Sequence, residues 1–184
     1  EKKKQAAGFL KPMQTITTNN KKWFVVTTKP RAEKQISKRL SAIRIEHYLP
    51  LQKQLRQWHD RKKWVEQPLF TGYLFVKTEE QLRSRVFEVG GILKYLSFNG
   101  VIATVPEQEI RRIRQLCAAA QPVTVQQGRL SEGDEVEIIA GQLSGLRGRL
   151  IQAGEQQKIR IAIPSLGCFA TVEIDKELVH KTTG

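Results

Sequence analysis

Four cations, one histidine and two indoles fall within the nine residues Arg56–Trp64: Arg56, Trp58, His59, Arg61, Lys62, Lys63 and Trp64. Side chains of these types meet nucleic acid in two ways. Lysine and arginine neutralise phosphates, which gives sequence-independent affinity that falls with salt. Indoles stack on unpaired bases. The competing reading is a solvated charged face with the indoles packed beneath it; for Arg61, Lys62 and Lys63 the phosphate reading is preferred. A second cationic group, Lys29, Arg31, Lys34 and Lys38, lies upstream and joins Arg56 in the candidate nucleic-acid set. Catalytic chemistry finds no comparable cluster. His47, His59 and His180 are scattered, no Ser/His/Asp or metal-ligand spacing occurs, and Gly141–Gly148 has no Walker lysine. Neither an enzyme nor a metal nor a cofactor is expected.

The elements that must position these side chains follow from periodicity. Trp23–Thr28 has the residue types of a strand. Lys29-Pro30 ends it, and Ala32, Ile36, Leu40 and Ile43 then recur at helical spacing, with Arg31, Lys34 and Lys38 on another face. Lys53–Glu66 reads as a hairpin or extended arm bending near His59-Asp60. Phe70 is followed by a turn at Thr71-Gly72 and by an alternating strand, Tyr73 and Phe75 against Leu74 and Val76. Both faces of that strand are apolar. One face can line the domain's own core; the other needs a helix of the same chain or a second protein to cover it. A capping-box pattern at Thr78-x-x-Gln81 predicts a second helix with Leu82, Val86 and Val89 facing inward. Asn99-Gly100 marks a hairpin. Pro106 opens a third helix, with Ile110, Ile113 and Cys117 on one face and Arg111, Arg112 and Arg114 outward. Beyond residue 130 the pattern is all β, with short alternating strands and glycine-rich turns that suggest a small barrel.

The fold class is therefore α+β: an N-terminal antiparallel sheet with packed helices, joined to a small all-β barrel. The expected division is a flexible basic tail over residues 1–22, a first domain over 23–117, a linker over 118–129 and the barrel over 130–181. Charge follows the division. The net charge is +13. Residues 1–22 have an excess of five positive charges and residues 23–120 an excess of nine, whereas residues 121–184 have one negative charge in excess. A polyanion partner for the front two-thirds accounts for this, with plain solubility as the alternative. Cys117 and Cys168 are far apart and outside any Cys-x-x-Cys pairing, and no run is long and apolar enough for a membrane. A soluble monomer in a reducing cytoplasm is expected.

Four segments, Trp23–Thr28, Lys29-Pro30-Arg31, Pro68–Val76 and Val105-Pro106, resemble the N-terminal domain of the NusG family. Glu132-Gly133-Asp134 through Gly141-x-x-x-Gly145-Leu146-x-Gly148 resembles that family's KOW domain. Residues Arg56–Lys63 look more like the specialised UpxY-type antiterminators than like the housekeeping member. The resemblance implies a transcription elongation or antitermination factor. It implies that Thr27, Phe70, Tyr73, Phe75, Ile110 and Ile113 face the clamp helices of RNA polymerase, the basic rim faces non-template or upstream DNA, and Leu146, Ser165, Leu166, Gly167 and Cys168 face a second partner. That partner would be a small-subunit ribosomal protein or Rho. On this reading the apolar hollow stays uncovered in the isolated chain, and Leu146 and Leu166 are exposed tips. A DNA element read through His-Thr-Thr in one relative does not carry over, because Leu82-Arg83-Ser84 stands there. The competing function is a stand-alone RNA-binding or ribosome-associated module, in which the sheet aromatics would stack on bases.

Overall fold

The computed structural model describes residues 20–57, 60–128 and 133–182. Its elements begin with β1 (Lys21–Thr28), α1 (Glu33–Ala42), β2 (Glu46–Tyr48), β3 (Leu51–Gln57), β4 (Lys62–Pro68) and β5 (Tyr73–Glu79). A 3-10 helix over Glu80–Val89 leads to β6 (Ile92–Tyr95), β7 (Ser97–Phe98), β8 (Val101–Ile102), β9 (Thr104–Val105) and α2 (Glu107–Ala118). The C-terminal part holds β10 (Thr124–Gln127), β11 (Glu135–Ile138), β12 (Arg147–Gln152), β13 (Gln156–Ile163), β14 (Cys168–Asp175) and β15 (Val179–Lys181).

The strands build two main sheets, both antiparallel. The first has the order β2-β5-β1-β6, with β9 also paired to β1. The second has the linear order β10-β14-β13-β12-β11-β15. Two strands of that second sheet escape the sequence pattern: β10 lies within the stretch read as linker, and β15 follows the last strand expected. Strand β1 also starts earlier than expected, at Lys21 rather than Trp23. The β3–β4 pair forms a separate two-stranded ribbon, as the arm reading requires, and β7–β8 forms the hairpin. Its turn residues Asn99 and Gly100 have φ of 50° and 79°, the double positive pair that a two-residue hairpin turn favours.

The alternation in β1 and β5 sorts the core into two layers. Phe24, Val26, Leu74 and Val76 face α1, where they meet Ile36 and Leu40, together with Val86, Ile92 and Tyr95. Trp23, Val25 and Phe75 face the other way and meet Ile110, Ile113 and Leu116 of α2. Trp23 also donates its indole N–H to Glu107 Oε2 at 2.8 Å, and Lys77 Nζ lies 3.3 Å from the same oxygen. These donors hold the Glu107 carboxyl below its ordinary pKa and fasten the start of α2 to the sheet.

The second helix departs from expectation. Strand β5 runs on through Glu79, with Thr78 paired to Lys22, and the next ten residues form a 3-10 helix. The Thr78 hydroxyl donates to the Glu79 carbonyl, so it does not cap. Val86 is buried and Val89 half-buried, but Leu82 is 42% exposed and does not face inward. In the C-terminal sheet Gly148 marks a close crossing rather than an unusual dihedral. A Cβ there would meet the Arg160 carbonyl oxygen at 2.5 Å.

Buried Glu33 fixes the turn before β5. Its Oε1 accepts the Gly72 N–H at 2.7 Å, while Thr28 N–H donates to the Gly72 carbonyl at 2.9 Å. Removing that acceptor strands a half-buried donor, and leaving a donor unsatisfied costs up to about 1–3 kcal/mol. Glu33→Ala is therefore expected to lower unfolding free energy by about 1–3 kcal/mol in urea melts, and Glu33→Gln, which keeps an acceptor, by clearly less.

Candidate polymerase and nucleic-acid surfaces

The six residues expected to face a partner's helices do converge, but not on an open surface. Phe70 and Phe75 stack edge to face with centroids 6.2 Å apart, and Tyr48 lies 6.2 Å from Phe75 on a tilted plane. Phe70 is 4% exposed, and Phe75, Ile110 and Ile113 are fully buried. Tyr73 and Thr27 are half-buried, and the Thr27 hydroxyl donates to the Lys94 carbonyl at 3.2 Å. The hollow is thus filled by α2 of the same chain. Helix α2 is amphipathic, so burying Ile110, Ile113 and Leu116 against the sheet satisfies its apolar stripe.

The C-terminal sheet continues this cluster. Leu143, Leu146, Leu166 and Cys168 belong to the same contiguous set of buried apolar residues as Phe75 and Ile113. Leu146 and Leu166 are therefore not exposed tips; they are 2% and 6% exposed. Ser165 is half-buried and Gly167 exposed. Among the described residues, four side-chain hydrogen bonds cross the junction. Ser165 N–H donates to Glu109 Oε1 at 3.1 Å, and Ser165 Oγ donates to the Thr104 carbonyl at 3.3 Å. Gln115 Nε2 donates to the Ser144 carbonyl at 3.3 Å, and Ala120 N–H donates to Gln142 Oε1 at 3.0 Å. Among the described residues no strand of one sheet pairs with a strand of the other. The arrangement joins two sheets through loops and side chains, not through a shared ladder.

Glu109 is the titratable group at that junction. Burial raises its carboxyl pKa, opposed by the Ser165 hydrogen bonds and by Arg112. Its charge in turn adds to the burial that pushes the Cys168 thiol up to about 12. Behind α2, burial raises both the Tyr48 phenol and the Cys117 thiol, which bond to one another, and Arg114 lies 5.0 Å above the Tyr48 ring.

The basic residues divide into two groups. The β3–β4 ribbon pairs Arg56 directly with Lys63, and Leu55 directly with Trp64. Directly opposed residues share a face, so Arg56 and Lys63 lie on one face with Val65, and Leu55 and Trp64 on the other with Lys53, Lys62 and Glu66. Leu55 is 49% exposed and Trp64 63%. Trp58 and His59 lie outside the described residues. Arg61, Lys62 and Lys63 are exposed at the start of β4. Lys29 and Lys38 are exposed near and on α1. Arg31, Lys34 and Arg56 converge: together with Glu33, Glu66, Gln67, Pro68 and Thr71 they line a cleft of about 460 Å³. Sequence spacing brings Arg31 and Lys34 together on a helix start but gives no sign that Arg56, some twenty residues on, meets them. Register does that, because β4 returns Gln67 and Pro68 beside α1, where Lys34 Nζ donates to the Glu66 carbonyl at 2.7 Å. Among the described residues no group of His, Cys, Asp or Glu is placed to hold a metal ion, and no helix is long and apolar enough to cross a membrane.

Comparison with known proteins fits this architecture. The NusG family model, described as transcription termination factor nusG, matches residues 21–114, the span from β1 into α2. The solved structure of domain interaction in Thermotoga maritima NusG is 24% identical, with 89% of this chain and 98% of that chain covered and a TM-score of 0.54. That likeness concerns the fold. A chain of the MjSpt4:Spt5 complex in conformation A is 18% identical over 88% of this chain and 98% of its own, with a TM-score of 0.28, too low to carry weight. No curated protein matches the sequence.

The junction has a testable pH dependence. Opening it would solvate Glu109 and return its carboxyl toward the ordinary value of 4.5. A carboxyl whose pKa is raised in the closed form favours closure while it is protonated. That contribution is complete at and below the ordinary value and is lost as pH rises through the raised one. Closure should therefore weaken with rising pH across that window, as read by amide exchange at Leu143–Leu146. Glu109→Gln keeps an acceptor for Ser165 and should flatten the dependence.

Proposed function

The chain belongs to the NusG family of transcription factors, and we propose that it is a specialised elongation or antitermination factor that grips RNA polymerase where the apolar layer of β5 and α2 continues beneath the C-terminal unit. The residues assigned to that grip are Thr27, Phe70, Tyr73, Phe75, Ile110 and Ile113. The clamp helices would lie on this layer as an apolar helix pair lies in a groove. The observation that carries the reading is the junction. The apolar layer runs on from the sheet and α2 into Leu143, Leu146 and Leu166, and among the described residues the two sheets are fastened there by apolar packing of loop side chains and by single hydrogen bonds. A surface held in this way can exchange one apolar cover for another, whereas a shared strand ladder could not.

On this reading the C-terminal sheet is the KOW module, a curled barrel-like unit. Leu146 and Ser165–Cys168 would meet the second partner, a small-subunit ribosomal protein or Rho, once the unit has swung away. Lys29, Arg31, Lys34, Lys38, Arg56, Arg61, Lys62 and Lys63 form the rim toward non-template or upstream DNA. The exposed arm, rich in Arg and Lys, supports placing the chain with the UpxY-type members. The domain limits fall near residue 23, residue 117 and residue 130, with β10 lending a strand across the last of them. The stand-alone RNA-binding alternative would stack bases on Phe75 and Tyr73; Phe75 is fully buried and Tyr73 half-buried, so that reading, like the grip, needs the apolar packing to open.

Ser165→Asp tests the grip without touching the sheet core. It sets a second negative charge beside Glu109 and should loosen the junction. Core RNA polymerase should then be captured several-fold better by the immobilised variant than by the parent chain. Capture by neither, with amide exchange confirming a loosened junction, would sink the proposal.

A further inference from the structure

Resting on the nucleic-acid reading above, we infer that the cleft between the start of α1 and the base of the β3–β4 ribbon is the seat of one backbone phosphate, held by Arg31, Lys34 and Arg56. Three independent features point there. The first is convergence without direct ion pairing. Arg31 from the turn before α1, Lys34 from α1 and Arg56 from β3 line one cleft of about 460 Å³. Among the described residues no carboxylate lies within ion-pair distance of any of them. Two glutamates line the same cleft, so its cations are in excess by one; Glu33 is engaged by the Gly72 N–H, and the ribbon register sets Glu66 opposite Lys53.

The second feature is repulsion retained. Arg56 and Lys63 stand directly opposite one another across the ribbon, an arrangement that destabilises a strand pair unless an anion relieves it. The third is backbone cost. Arg31 has φ of 63°, in the left-handed region where a glycine would sit without strain. Such outliers collect where a side chain has a task.

Donor capacity matches a phosphate. Lys34 spends one proton on the Glu66 carbonyl, and Arg56 spends one on Gln67 Oε1 at 3.0 Å. Two ammonium protons and four guanidinium protons remain for oxygens in the cleft, besides all of those on Arg31. The lining is polar apart from Pro68, and the Thr71 side chain adds a hydroxyl. The ribbon also divides the labour of the arm. Trp64 shares its face with Leu55 and not with Arg56.

The test uses the full chain, a fluorescein-labelled single-stranded DNA and anisotropy at several salt concentrations. Neutralising the cleft (Arg31→Gln, Lys34→Gln, Arg56→Gln) should flatten the slope of log K against log salt by about 0.7, the value for one phosphate of a single strand. Arg31→Gly should bind several-fold more weakly while melting at the same or a higher temperature, an outcome that a merely structural arginine would not give. Neutralising Arg61, Lys62 and Lys63 is the reference. A flatter slope for that variant, with an unchanged slope for the cleft variant, would overturn the cleft and leave the nucleic-acid reading standing. No binding by the parent chain would overturn both. Saturable binding of inorganic phosphate in the cleft, with the DNA slope indifferent to cleft neutralisation, would make it a free-phosphate site and overturn the backbone assignment.

Discussion

A strand that is apolar on both faces has to be covered twice, and β5 sets that requirement for the whole chain. Leu74 and Val76 go to one side with Phe24 and Val26, where α1 closes over them. Phe75 goes to the other side with Trp23 and Val25, where α2 closes over them. Fully burying side chains of this size is worth roughly 1.5–3 kcal/mol each relative to leaving them exposed, so neither face can stay bare. Connections then have to deliver a helix to each side of the sheet. The segment β1-α1-β2 serves one face, and the path from β5 through β9 into α2 serves the other.

Covering the second face creates a third surface. Helix α2 has its own apolar stripe turned toward the sheet, yet Glu109, Gln115 and the residues just past its end touch the C-terminal unit. That unit presents a turn over residues 139–146 and a loop at Pro164–Gly167, not a strand edge. Hydrogen bonds of this kind contribute about 0.5–1.5 kcal/mol apiece, and the apolar contact supplies the remainder. The junction is thus built from terms of the size that a competing apolar surface can replace.

Much of this was legible in the sequence because it rests on local period and turn chemistry. The two-faced strand, the α1 and α2 stripes, the Asn99-Gly100 hairpin and the alternating C-terminal strands all follow from spacing that the chain satisfies locally. The failures share a different cause. Strands β10 and β15 are short edge strands whose residues acquire meaning only from their partners, β14 and β11. The capping pattern at Thr78 yielded to the β1–β5 ladder, which claims Thr78 for the sheet. Leu146 and Leu166 look like exposed tips when read alone, because a loop leucine in one unit says nothing of α2 in the other. The convergence of Arg31, Lys34 and Arg56 was invisible for the same reason, since it depends on a ribbon register and not on spacing along the chain.

Closure and the proposed grip then have to be weighed together. A partner that needs the layer under the C-terminal unit binds only the open fraction of molecules, so its apparent affinity is the intrinsic one reduced by that fraction. Whatever lowers the cost of opening raises the apparent affinity by the same factor, whether it acts at Glu109 or on the Ser165 loop. A ligand that prefers the freed C-terminal unit does likewise, because linkage is reciprocal. The cationic rim lies outside this balance. Arg31, Lys34 and Arg56 line a cleft on the α1 side of the ribbon, and the bonds at the junction are made by other residues. The proposed phosphate contact therefore does not require the junction to open, so on this proposal nucleic acid would bind first and the apolar exchange would follow.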